Sequence, residues 1–118
     1  KTLRDSATSR SIGLFTVLEA ENARAASGKN SSLVIERLSQ ALVDSGLSQV
    51  NGSSQPTVHN DVFNYTTTFI LKEGLVTARI EPSLSYVALD VHLWDAFDQH
   101  DTVLKNLVKA VDAEIVST

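Results

Sequence analysis

Residues 73–97 read EGLVTARIEPSLSYVALDVHLWDAF, a turn followed by two stretches that alternate with a period of two. Successive side chains of an extended chain point to opposite faces. In residues 75–81 that puts Val76, Ala78 and Ile80 on one face and Thr77, Arg79 and Glu81 on the other. After a short connection the pattern repeats: Val87, Leu89, Val91 and Leu93 form an apolar face, and Tyr86, Ala88, Asp90, His92 and Trp94 form its reverse. Glu73-Gly74 supplies a tight turn ahead of the first strand. One face of this pair is built for a core. The other is neither fully polar, as a solvated sheet face would be, nor fully apolar, as a second core layer would be.

Upstream, residues 62–72 (VFNYTTTFILK) are dense in Thr, Tyr, Phe and Ile and predict the preceding strand. Before it, residues 51–60 (NGSSQPTVHN) carry Asn-Gly, Ser-Ser and Pro and read as a long surface loop. Residues 33–46 (LVIERLSQALVDSG) place Val34, Ile35, Leu38, Ala41 and Leu42 on one helical face, with Ser31 and Ser32 as N-cap candidates and Gly46 where a left-handed residue ends a helix. Residues 21–30 read as a loop with room for an extra helical turn, and residues 12–20 (IGLFTVLEA) as a buried strand. Residues 1–11 read as a flexible tail.

Downstream, Asp101 is expected to cap a last helix over residues 102–116 (TVLKNLVKAVDAEIV), with Leu104, Leu107, Val108, Val111 and Ile115 on its buried stripe. The expected architecture is an α+β two-layer sandwich: a mainly antiparallel four-stranded sheet with two helices on one face, in the order β-α-β-β-β-α. Nothing remains to cover the second face of the sheet.

The 118 residues are enough for one domain and one core, here residues 12–118. A formal charge of -4 with 10 Lys and Arg in all lacks the basic clustering that phosphate binding needs, so no nucleic acid is expected. The absence of Cys excludes disulfides, thiolate nucleophiles and Cys-based zinc sites. No apolar run approaches the ~20 residues of a membrane span, so no membrane is expected and the expected location is cytoplasmic. Asn-x-Ser/Thr triplets at Asn30, Asn51 and Asn64 are read as chance. With Lys at position 1 and no Met, the expectation is a processed chain or a piece of a longer one.

Several groups of residues have the types needed for chemistry. Asp90, His92, Asp95, Asp98, His100 and Asp101 form a cluster that could hold a divalent cation, but they match no known ligand spacing and the later Asp residues suit a helix N-terminus. No Gly-x-Ser-x-Gly elbow supports a Ser/His/Asp triad, and Glu73 and Glu81 lie at opposite ends of one strand. No catalytic, cofactor or metal residue is therefore expected. The expected interface is the uncovered face: Thr77, Arg79, Tyr86, Asp90, His92 and Trp94, with a cross-strand or diagonal Arg79–Asp90 pair and the aromatic residues as anchors.

The run from Gly74 through Arg79, Ile80 and Pro82 to Leu89 and Asp90 resembles the S-adenosylmethionine decarboxylase fold, in particular the non-catalytic N-terminal domain of spermine synthases. The order of elements from about residue 12 onward is similar too. Active members make a pyruvoyl cofactor by self-cleavage at a Glu-Ser bond, and only a serine hydroxyl can perform the acyl shift. Here the corresponding turn is Lys72-Glu73-Gly74, Glu-Ser occurs nowhere, and the Cys used for proton donation is missing. The resemblance thus implies a homodimerisation domain of a spermine or spermidine synthase type transferase in polyamine biosynthesis, joined to a C-terminal aminopropyltransferase domain. One alternative it leaves is an inactive-paralogue subunit that activates a decarboxylase. Another is a small-molecule-binding domain or enzyme using the open sheet face.

Overall fold

The computed structural model describes residues 13–26, 31–50, 57–59 and 64–117. The tail, most of the 51–60 loop, the triplets at Asn30 and Asn51 and the side-chain caps at Ser31 and Ser32 lie outside what is described. Its elements are β1 (Leu14–Glu21), α1 (Ser31–Asp44), β2 (Thr57–His59), β3 (Asn64–Ile70), β4 (Gly74–Glu81), β5 (Tyr86–Leu93), α2 (His100–Val111) and β6 (Ile115–Ser117). They form one antiparallel sheet in the order β2-β3-β4-β5-β1-β6.

The expected helices and the β-β-β meander are present, and β1 joins the meander on the far side of β5. Among the described residues the sheet has six strands where four were expected. The two additions are short edge strands: β2 lies inside the stretch read as loop, and β6 overlaps the end of the stretch read as helix. Three residues are too few for a period of two to register in a sequence.

The core lies between the helices and one sheet face. Val76, Ala78 and Ile80 of β4, Val87, Leu89, Val91 and Leu93 of β5, and Tyr65 and Phe69 of β3 are buried there, as alternation predicts. Val34, Leu38, Ala41 and Leu42 of α1 and Val103, Leu107 and Val111 of α2 complete it. Each such large side chain contributes about 1.5–3 kcal/mol on burial. The helices are also tied directly, by Arg37 Nε donating to the Ala110 carbonyl at 2.6 Å and by Asn106 Nδ2 donating to Ser45 Oγ at 2.9 Å. Gly46 takes the expected left-handed conformation (φ +85), and the N–H groups of Gly46 and Leu47 return to the carbonyls of Val43 and Leu42 to close α1.

Two expectations are corrected. The strand read as buried is buried on one face alone: Leu18 and Ala20 point inward, while Phe15 and Val17 point out from the opposite face. The last helix starts at His100, so Asp101 sits in its first turn and makes no side-chain cap. It stops at Val111, because Asp112 turns left-handed (φ +55) and its N–H bonds the carbonyls of Val108 and Lys109. Ile115 therefore leaves the helical stripe and lies half exposed in β6.

Candidate functional site

With both helices on one side, the other side of the sheet is uncovered among the described residues, and register decides what meets there. The first cross-strand row is Phe15 (β1), His92 (β5), Leu75 (β4) and Ile70 (β3). The second is Val17, Asp90, Thr77 and Thr68, and the third is Glu19, Ala88, Arg79 and Thr66. The face thus grades from an aromatic and aliphatic end to a charged end.

At the apolar end the Phe15 ring stacks on His92 with centroids 5.5 Å apart, and Trp94 meets His92 edge-on at 5.7 Å. Trp94 is held in place because its indole N–H donates to the Lys72 carbonyl at 2.9 Å, while its backbone N–H donates to the Glu73 carbonyl. Phe15 is 63 % exposed and Trp94 46 %, a large apolar area to leave in water.

At the charged end Tyr86 donates its phenolic hydrogen to Glu19 Oε2 at 2.6 Å. That bond, followed by partial desolvation, raises the Tyr86 phenol above its ordinary value, against the opposing pull of Arg79. Replacing Glu19 with Gln is expected to shift the spectrophotometric titration of Tyr86 to lower pH. An unmoved titration would break the assignment of that bond. Across the second and third rows lies a shallow depression of about 360 Å³, lined by Val17, Glu19, Thr77, Arg79 and Asp90 among others.

All six residues expected from sequence, Thr77, Arg79, Tyr86, Asp90, His92 and Trp94, lie on or at the margin of this face. Thr77 stands opposite Asp90, and Arg79 opposite Ala88. Arg79 and Asp90 are diagonal neighbours and make no ion pair with each other. Sequence reasoning missed Phe15, Val17 and Glu19, the β1 share of the face. Their signal was hidden because residues 12–20 are apolar at nearly every position.

The six-residue carboxylate and imidazole cluster does not assemble. His100 Nε2 lies 2.8 Å from Thr16 Oγ1, at the start of α2, while His92 packs among aromatic rings on the open face. Among the described residues no group of three His, Asp or Glu side chains could hold a metal ion. Among those residues, too, no helix is long and apolar enough to cross a membrane.

The Glu73-Gly74 turn is closely framed. Glu73 Oε1 accepts the Ser48 backbone N–H at 2.9 Å, and the Leu71 N–H donates to the Gly74 carbonyl at 2.9 Å. A Cβ built on Gly74 falls 2.1 Å from the His92 carbonyl oxygen, so the turn has no space for any side chain there.

No family model and no curated protein sequence matches this chain. Among solved structures it is similar to the crystal structure of the adenosylmethionine decarboxylase from Aquifex aeolicus, with a TM-score of 0.68 and 12% identity, covering 91% of this chain and 86% of that one. At that identity the likeness speaks for the fold: the chain has an adenosylmethionine decarboxylase-like fold.

Proposed function

We propose that this chain is a non-catalytic, decarboxylase-like association domain that pairs with a second copy of itself through the open sheet face. Its place is in polyamine biosynthesis, as the dimerising part of an aminopropyltransferase of the spermine or spermidine synthase type. The observation that carries the reading is the composition of the face. Its first row offers Phe15, Leu75 and Ile70 with Trp94 at the margin, and its charged end carries Arg79 beside the carboxylates of Glu19 and Asp90. A two-fold axis running along the strands sets the apolar row of one copy on the apolar row of the other, and a face carrying both signs of charge can then pair with itself. The resemblance around Gly74, Arg79, Pro82 and Asp90 supports the link to polyamine chemistry. The crowded Gly74, which leaves no place for a cofactor-forming serine, supports a role without decarboxylation.

Sedimentation equilibrium at micromolar concentration tests the reading, with a homodimer as the expected result. A monomer at every concentration overturns it. A monomer that instead forms a complex with an active decarboxylase, and changes its turnover, replaces it with the regulatory-subunit reading.

A further inference from the structure

The end of α2 carries a conflict between sequence and structure. Leu107, Val111 and Ile115 are spaced to continue one helical stripe, and Ala113 and Glu114 are good helix formers. The helix nevertheless stops at Val111. The chain then reverses through Asp112 and pairs as β6 with Glu19, Ala20 and Glu21 of β1.

What β6 gains by packing is small. Its three residues are all exposed, Ile115 by 50 % and Val116 by 38 %. Asp112 adopts a left-handed conformation, which costs a non-glycine residue about 1 kcal/mol. Continuing the helix would remove the left-handed residue and set Ile115 one turn beyond the buried Val111 on the same stripe.

Arg24 opposes that continuation. From the 3-10 turn Arg24–Ala26 its Nε and Nη2 donate to both carboxylate oxygens of Asp112 at 2.9 Å, and Nη1 donates to Glu114 Oε2 at 2.8 Å. Its backbone N–H also donates to the Asp112 carbonyl at 3.1 Å. A planar guanidinium is suited to such two-oxygen recognition.

We propose that residues 112–117 are a two-state element, a clasped edge strand in one state and a further turn of α2 in the other, with Arg24 as the group that selects the strand. In the helical state the outer edge of β1 at Glu19–Glu21 is released, so the element governs whether that edge is open to another strand.

The clasp is exposed and therefore sensitive to salt and acid. The charged groups around it are Arg24 from the 3-10 turn, Arg37 from α1, Lys109 at the end of α2, Glu21 on β1 next to Ile115, and Glu114 itself. The hydrogen bonds from Arg24 hold the Asp112 carboxyl below its ordinary value. A depressed carboxylate stabilises the strand state above its unfolded-state pKa and loses that contribution as pH falls through the depressed folded value. Acid is thus expected to favour the helical state.

The test follows backbone NMR shifts and β1–β6 cross-strand contacts in the full chain. Arg24→Gln and Asp112→Ala are expected to lose the Ala20–Val116 contacts and to move residues 112–115 to helical shifts. Asp112→Gly, which also lacks the carboxylate but favours the left-handed turn, is expected to populate the helix about fivefold less than Asp112→Ala. Persistence of the strand pairing in both Arg24→Gln and Asp112→Ala overturns the proposal. Detachment of β6 with no gain in helical shifts overturns it as well.

Discussion

Gly74→Ser is expected to lower folding stability by about 3 kcal/mol or more, read as a fall in the urea midpoint at unchanged slope. The added Cβ would lie 2.1 Å from the His92 carbonyl oxygen and 2.9 Å from Leu93 Cα. Both are backbone atoms of β5, the strand paired on both sides at the centre of the sheet, and neither can swing aside. Gly46→Ala provides the contrast. Gly46 has open space around its Cβ position and a φ of +85, so conformational strain alone applies and the expected cost is about 1 kcal/mol. The same Gly74→Ser chain is expected to remain a single full-length species by mass spectrometry, although it restores the Glu-Ser dipeptide. Two shorter fragments would overturn the argument that crowding at position 74 leaves no place for a cofactor-forming serine.

Phe15→Asp is expected to weaken self-association strongly without unfolding the domain. Phe15 contacts the rest of the fold through its stack on His92 and is otherwise largely in water, so the monomer should lose about 1 kcal/mol at most. As the most exposed aromatic anchor at the apolar end of a paired face it should weaken dimerisation by at least ~2 kcal/mol, about thirtyfold, visible as a shift to monomer in sedimentation velocity. Val43→Asp is the companion control. Val43 is exposed on α1, in the layer away from the open face, and its substitution should leave association unchanged. Association of Phe15→Asp like that of the wild type would place the interface elsewhere.

The part of the open face on β4 and β5 was legible in sequence because those strands keep a strict period of two, inward Val and Leu against outward Thr, Arg, Asp and His. The β1 part was not. Phe15 and Val17 look like core residues, and nothing local to LFTVLEAE says that one side of that strand lacks a covering layer. The helix overrun past Val111 has a different cause, since the pattern to Ile115 is helical and a salt clasp from Arg24, far earlier in the chain, decides otherwise. His92 and His100, eight positions apart, look like one cluster when the chain is read as a line. The β5-to-α2 corner sends one to the open face and the other to Thr16.

The strand order carries a consequence for synthesis. β1 emerges from the ribosome before any other element described, yet its long partner is β5, which pairs with it from Leu14↔Leu93 to Ala20↔Val87. At roughly 5–20 residues per second, β1 waits several seconds with Leu14, Phe15, Val17 and Leu18 exposed until its partner has been made. The β3-β4-β5 meander can form from neighbouring contacts as it appears, whereas β1 can take its long partner only after β5 has been made. During that interval the nascent chain offers a bare apolar strand, and this is where a chaperone would act on it.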